Sequence, residues 1–403
     1  MLGRVRTPPV LAALLALAAP AAAQGATTPA EAQEPATDVT PVGAWVGRVL
    51  SAVGQGSTED LARLLDADAL LERATRGVGA SKSFEKGFRD GARRTLLGPE
   101  GPLGALVAVA GGGGEVTFQR ERVRDGAPSP LFRLYYGDGQ GYDYREFVLE
   151  PREGALVAVD GYLYSRGETS SQTLRRWYVP LAVEKNRSLI QRLIGVEHQL
   201  AANWKRVERM IGLYGEGELE EAERLYRGLP TDLQREKSLL LLRIGSTPVE
   251  VPAYTQAVTT LIEHHPSEPC TMLASIDFHS ARGELGQTRA AFDELRGAVG
   301  GDPFLDLLEA DVLLAHGELD LAAGLAREAI DGGLGWVDPY WVLLAVSLTR
   351  QDHARTLELL LEVDGGFVVE WQDFAGLPEY AGFVASPYHA RWLEHRAGQG
   401  AGG

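Results

Sequence analysis

Three copies of one phrase, Gly217-Glu218-Leu219, Gly283-Glu284-Leu285 and Gly317-Glu318-Leu319, punctuate the second half of this chain. They lie 66 and 34 residues apart, which is two periods of about 33 and one of 34. Helical apolar patterning flanks each glycine. A glycine turn between two amphipathic helices, repeated at this period, is the signature of stacked helical hairpins. One hairpin cannot bury its apolar face alone, so each unit needs a neighbour.

The flanking positions repeat as well. Five residues after each glycine stand Ala222, Thr288 and Ala322, and nine after it Tyr226, Phe292 and Ala326. Pro230, Pro303 and Pro339 close the units, the last two late enough to imply insertions. One period beyond Gly317 comes Gln351, inside a helix–turn–helix from Tyr340 to Val363. A degenerate unit falls between Gly217 and Gly283: Leu233 to Ile244, a stop at Gly245, then Tyr254 to His265. Residues 204–365 thus resemble tetratricopeptide repeats, about five hairpins in all. Departures occur at a small-residue position of the first helix, kept at Ala310 but replaced by Met210, Ile276 and Leu344. The resemblance implies a concave surface that takes an extended peptide or a helix.

Upstream, 42–166 reads as an α+β domain. Val42, Trp45, Val46, Val49, Leu50 and Val53 follow helical spacing, Leu61 to Leu71 forms a second helix and Ser83 to Leu97 a third. The period then changes to two. Four strands follow, with turn signals at Asp125-Gly126, Asp138-Gly139 and Glu153-Gly154, which predicts an antiparallel meander. Three helices followed by four strands resemble the nuclear transport factor 2-like (cystatin-like) cone. That resemblance implies a curved sheet that holds a small ligand or mediates assembly, including a homodimer through the sheet. Fold alone implies no activity. Residues 167–203 form connecting helices interrupted at Pro180, 366–396 an aromatic C-terminal cap, and 397–403 a disordered tail.

The start of the chain predicts export. Arg4 and Arg6 precede a short apolar run from Val10 to Ala19, and Ala21-Ala22-Ala23 suits cleavage before Gln24. Residues 1–23 are therefore expected to be a signal peptide, 24–41 a disordered linker, and the mature protein periplasmic or extracellular. Cys270 is the single cysteine, so no internal disulfide forms.

The formal net charge is −16. Residues 42–165 carry 15 Lys and Arg against 17 Asp and Glu, and 166–403 carry 22 against 35. The acidity sits in the repeat half. It disfavours nucleic acid and favours partners with basic segments.

Catalytic chemistry is sparse. All eight histidines lie beyond residue 166, so the α+β domain runs neither a Ser-His-Asp triad nor a His-based metal site. Its strands carry a polar set, of which Asp160, Tyr144, Arg145 and Tyr162 are the candidate ligand-pocket residues, with Asp160 the best acid or base. Glu263, His264, His265, Cys270, Asp277 and His279 match no zinc spacing, and Gly77 to Ser83 lacks the glycine before Lys82 that a phosphate loop needs. Neither a cofactor nor a metal is expected. The reading favoured by the sequence is a non-enzymatic repeat protein that binds a protein or peptide partner. The alternative is a small-ligand-binding or weakly catalytic cone supported by the repeats.

Overall fold

The computed structural model describes residues 40–137 and 141–400. The expected signal peptide, nearly all of the linker and the Asp138-Gly139 turn lie outside these residues. The chain divides into two compact units, the first ending at Phe278 and the second beginning at His279.

The first unit opens with five helices, not three: α1 (Pro41–Gly54), α2 (Thr58–Ala62), α3 (Ala67–Thr75), α4 (Lys82–Leu97) and α5 (Gly104–Gly111). The expected second helix is split because Asp66 caps a new one, its side chain accepting from the Ala69 N–H at 2.9 Å. The break also lets the Asp66 N–H reach the carbonyl of Ala158 in the sheet at 2.8 Å. Helix α5 was missed because it is apolar all round (GALVAVAG) and shows no period. Helix α1 begins at Pro41, the last residue of the expected linker, with the Thr40 hydroxyl accepting from the Gly43 N–H.

The sheet has strands β1 (Glu115–Arg124), β2 (Ala127–Tyr135), β3 (Tyr142–Arg152), β4 (Ala155–Leu163) and β5 (Glu168–Thr169). They pair antiparallel in sequence order, as the meander reading expected. The fifth strand is added to the four expected; at two residues it is too short to show a period. Asp125-Gly126 and Glu153-Gly154 both have positive φ at both positions (51° and 81°, 48° and 84°). A two-residue hairpin closed by a type I′ turn requires that geometry. Trp45, Val49, Leu61, Leu70 and Leu106 from the helices pack on Phe132, Leu134, Phe147 and Leu149 of the sheet.

A capping box of Thr169 and Gln172 starts α6 (Ser170–Lys185), which runs through Pro180 rather than breaking there. Then come α7 (Gly195–Ala202), α8 (Trp204–Glu216), α9 (Leu219–Arg227), α10 (Thr231–Gln234), α11 (Lys237–Ser246), α12 (Pro252–His264) and α13 (Pro269–Ala281), the last crossing the division between units. Gly245 is inside α11 and does not stop it. The stop is Thr247, held extended (φ −105°, ψ 132°) by the following Pro248.

The second unit continues with α14 (Leu285–Val299), α15 (Pro303–Ala315), α16 (Leu319–Asp331), α17 (Asp338–Thr349), α18 (His353–Gly366), α19 (Ala381–Val384) and α20 (Pro387–Gly400). Each of α15 to α18 packs on the next. Between α18 and α20 the aromatic segment closes the end. Phe374 stacks on Tyr380 with ring centroids 4.4 Å apart, and Trp371 meets Trp341 at 5.8 Å and Trp392 at 5.0 Å. Asp364, buried, accepts from Trp371 Nε1 at 2.7 Å and Arg396 Nη1 at 2.5 Å, and lies 2.8 Å from His395 Nε2. Because α20 runs to Gly400, the segment expected to be a tail is helical over 397–400.

Candidate functional site

The repeated phrase becomes one backbone device used four times. Gly217, Gly283 and Gly317 have φ of 81°, 69° and 79°, and Gln351 takes the same left-handed conformation at 56°. In each turn the next residue donates its N–H to a carbonyl five residues back: Glu218 to Leu213, Glu284 to His279, Glu318 to Leu313 and Asp352 to Ser347, all at 2.9 Å. This is the Schellman bond that closes a helix end.

Burial follows the same template. The position five residues after each turn (Ala222, Thr288, Ala322, Thr356) is fully buried, and nine after it Tyr226, Phe292, Ala326 and Leu360 are buried too. Seven before it, Met210, Ile276, Ala310 and Leu344 are buried, so larger residues are accommodated where the pattern prefers small ones. Four before the turn stand Leu213, His279, Leu313 and Ser347. Where the apolar residue is absent a polar bond replaces it. Ser347 Oγ lies 2.9 Å from Thr356 Oγ1, and His279 Nδ1 lies 2.6 Å from Glu284 Oε2.

Charge is unevenly spread along the chain. Residues 279–403 hold 8 Lys and Arg against 20 Asp and Glu, a net of −12, whereas 40–278 hold 29 against 32, a net of −3. The acidity expected for the repeat half is therefore confined to its last part.

In the α+β region the four candidate pocket residues do not come together. Neighbours along a strand point to opposite faces. Arg145 shares the face of Phe147 and Leu149 toward the helices, while Tyr144 and Glu146 face the other way. Tyr162, in register with Glu146, joins that second face. There Glu146, 1% exposed, accepts from Arg124 Nε at 2.7 Å, from Ser129 Oγ at 3.2 Å and from the Tyr164 hydroxyl. Burial pushes the Glu146 carboxyl up, but Arg124, Tyr164 and Arg122 outweigh it and hold the group below its ordinary value. Arg124 covers the Tyr162 ring at 3.8 Å.

Asp160 is a structural cap. Its oxygens accept from the Ser171 N–H at 3.1 Å, the Ser171 hydroxyl at 2.5 Å and the Gly161 N–H at 2.9 Å, tying the first turn of α6 to β4. Burial raises its pKa against these bonds. Its three hydrogen bonds leave it little capacity to bind a ligand.

Two arrangements escaped the sequence reading. An open cleft of about 500 Å³ lies where Arg124 and Tyr162 meet Glu168, Arg176, Glu236 and Lys237. Its charges are largely mutually paired: Arg176 with Glu168 and Glu236, and Lys237 with Glu268 at 3.1 Å. The second is a polar group at Asp143, Arg145 and Ser165, in which Arg145 Nε lies 3.9 Å from Asp143 Oδ2. Asp143 Oδ1 and Oδ2 accept from the Ser165 N–H and hydroxyl, each at 2.9 Å. Strand parity would have separated Tyr144 from Arg145 and paired Arg145 with Asp143 on one face.

The histidine and cysteine cluster of 263–279 is dispersed into other roles. His265 Nε2 sits 2.8 Å from the Arg235 carbonyl, and Cys270 is buried against Gly167. Among the described residues no three His, Cys, Asp or Glu side chains are placed to hold a metal, and no helix is long and apolar enough to cross a membrane.

Comparison with protein families, with curated proteins and with solved structures finds no match to this chain.

Proposed function

We propose that this protein is a non-enzymatic binding protein whose helical hairpins are tetratricopeptide-like units presenting a surface to a partner with a basic segment. The observation that carries this reading is the recurrence of one turn and one set of buried positions at 217, 283, 317 and 351. Such repetition fixes the inward positions of each hairpin and leaves the outward ones to vary, which is how repeat arrays act as binding surfaces. The net charge of −12 on residues 279–403 supplies the preference for basic partners and speeds their encounter.

The test uses the full chain against immobilised Lys/Arg-rich peptides, with Glu-rich peptides of equal length as the control. Binding to the basic set should weaken at least tenfold between 50 mM and 300 mM salt, since exposed charges are screened over about 10 Å at 0.1 M. Equal retention of both sets, or retention indifferent to salt, overturns it. Export is part of the same proposal, and mass spectrometry of the native protein should find an N-terminus at Gln24. An N-terminus at Met1 removes it.

A further inference from the structure

The open cleft beside Arg124 and Tyr162 lies within the first unit, and its volume of about 500 Å³ suits a small organic molecule. One polar group in it is left without a use. Tyr162 of β4 lines the cleft and is only 9% exposed, yet its hydroxyl makes no hydrogen bond among the described residues. The ring is fixed in place, with the Arg124 guanidinium over its face at 3.8 Å and Tyr164 edge to face at 5.4 Å. Burial, and then Glu268, push the Tyr162 pKa up, so the group stays a neutral phenol that can donate.

The charges around it are spent on one another but keep hydrogen-bonding capacity. Four cations and five carboxylates line the cleft, a difference of one charge. Arg124 Nε is taken by Glu146, while its two terminal nitrogens donate to nothing among the described residues. Glu168 accepts from Arg176 and from the Thr173 hydroxyl on Oε1, which leaves Oε2 unused. Glu268 meets Lys237 through Oε2 at 3.1 Å, which leaves Oε1 unused. Lys237 Nζ is anchored further by the Gly167 carbonyl at 2.5 Å. An apolar wall completes the cleft, where Val196 is 44% exposed beside the buried Val179 and Leu200.

A charged ligand gains little in such a place, because each ion it meets must first give up a partner. An uncharged ligand rich in hydroxyls breaks no pair. Each hydroxyl both donates and accepts, so it matches the unused phenol and guanidinium donors and the unused carboxylate oxygens together. Its C–H face packs on Val196. We propose that this cleft binds a small uncharged saccharide, with the Tyr162 hydroxyl as a donor that orients it. The site is independent of the basic partner proposed for the hairpins.

Titration calorimetry of the full chain tests it, with glucose, N-acetylglucosamine, maltose and trehalose as probes. Glucosamine and glucuronate serve as cationic and anionic counterparts. At least one of the four neutral sugars should bind saturably with a Kd of about 1 mM or tighter, and both charged sugars about tenfold more weakly than that one or worse. Tyr162→Phe removes only a hydroxyl that has no protein partner. It should melt with the wild type and weaken the sugar about fivefold or more. Tyr388→Phe, in the second unit, should bind as the wild type does. The proposal is overturned if none of the four neutral sugars binds, if a charged sugar binds as tightly as the best neutral one, or if Tyr162→Phe keeps the wild-type affinity. A lower melting temperature for Tyr162→Phe also sinks it, because the hydroxyl is then committed to the fold.

Discussion

The hairpin link in the first unit and its counterpart in the second occupy the same place with opposite signs. Six residues after Gly217, Glu223 of α9 takes a two-pronged bond from Arg243 of α11, at 2.6 and 2.7 Å. Six residues after Gly283, Arg289 of α14 donates to Glu309 of α15 at 2.9 Å, joined there by Arg296. Six after Gly317 stands Ala323, buried, and that link is apolar. The repeating frame fixes where one hairpin grips the next and leaves the chemistry of the grip free. The buried member differs too. In the first unit it is Arg243, its side chain 2% exposed, over the Tyr226 ring at 4.4 Å. In the second it is Glu309 at 3%, between arginines exposed by 48% and 20%.

That asymmetry ranks the substitutions. Arg243→Met should cost most, about 3–5 kcal/mol in denaturant unfolding, because Glu223 is left half-desolvated without its cation. Glu223→Gln combined with Arg243→Met should recover a large part of that loss. Glu309→Gln should cost less, about 1–3 kcal/mol, since Arg296 retains Asp306 and Asp293 and Arg289 turns to water. If Glu309→Gln proves the costlier change, burial of the cation is not what separates the two links.

The turns themselves come next. Gly317→Ala forces a Cβ into a left-handed residue and should cost about 1–2 kcal/mol. A neutral outcome breaks the equivalence of the four turns.

A pH comparison sharpens it further. Asp277 in the first unit and Asp311 in the second each precede their turn glycine by six residues. Burial pushes the first up to about 7; burial and then Asp338 push the second up to about 8. A carboxyl raised in the folded state stabilises when protonated, so its contribution is present below about pH 4 and is lost as pH rises toward 8. Asp311→Asn should flatten the stability curve across that window and exceed the wild type above pH 8. The gain should be about 1 kcal/mol or less, the side chain being only partly buried. A curve unchanged in slope refutes the assignment. Smallest of all, Gln351→Gly should stabilise by about 0.5 kcal/mol, as the one turn built without glycine is relieved.

What could be read from the sequence follows from what each feature demands. The turn glycines were legible because a left-handed residue nearly requires glycine, and the hairpins Asp125-Gly126 and Glu153-Gly154 for the same reason. Helix α5 and strand β5 were not, since one lacks a polar face and the other lacks length. Gly245 misled because a glycine marks a stop only when the backbone uses its freedom, and there Pro248 sets the end. At the candidate site Arg145 was found, but it was grouped with Tyr144 and Tyr162 across the plane of the sheet. Asp160 looked like an acid awaiting a substrate, and its three hydrogen bonds tie it to the start of α6.

The aromatic closure of the second unit has an optical consequence. Trp341, Trp371 and Trp392 stand edge to face within 6 Å of one another in succession, at 5.8 Å and 5.0 Å. Indoles at such separations share their electronic excitations, and the near-ultraviolet dichroism they produce vanishes once the rings part. The first unit carries a pair of the same kind, Trp177 and Trp204 at 5.2 Å, so loss of either set registers as its own change in the near-ultraviolet spectrum. The chain carries a built-in gauge of which end comes apart first.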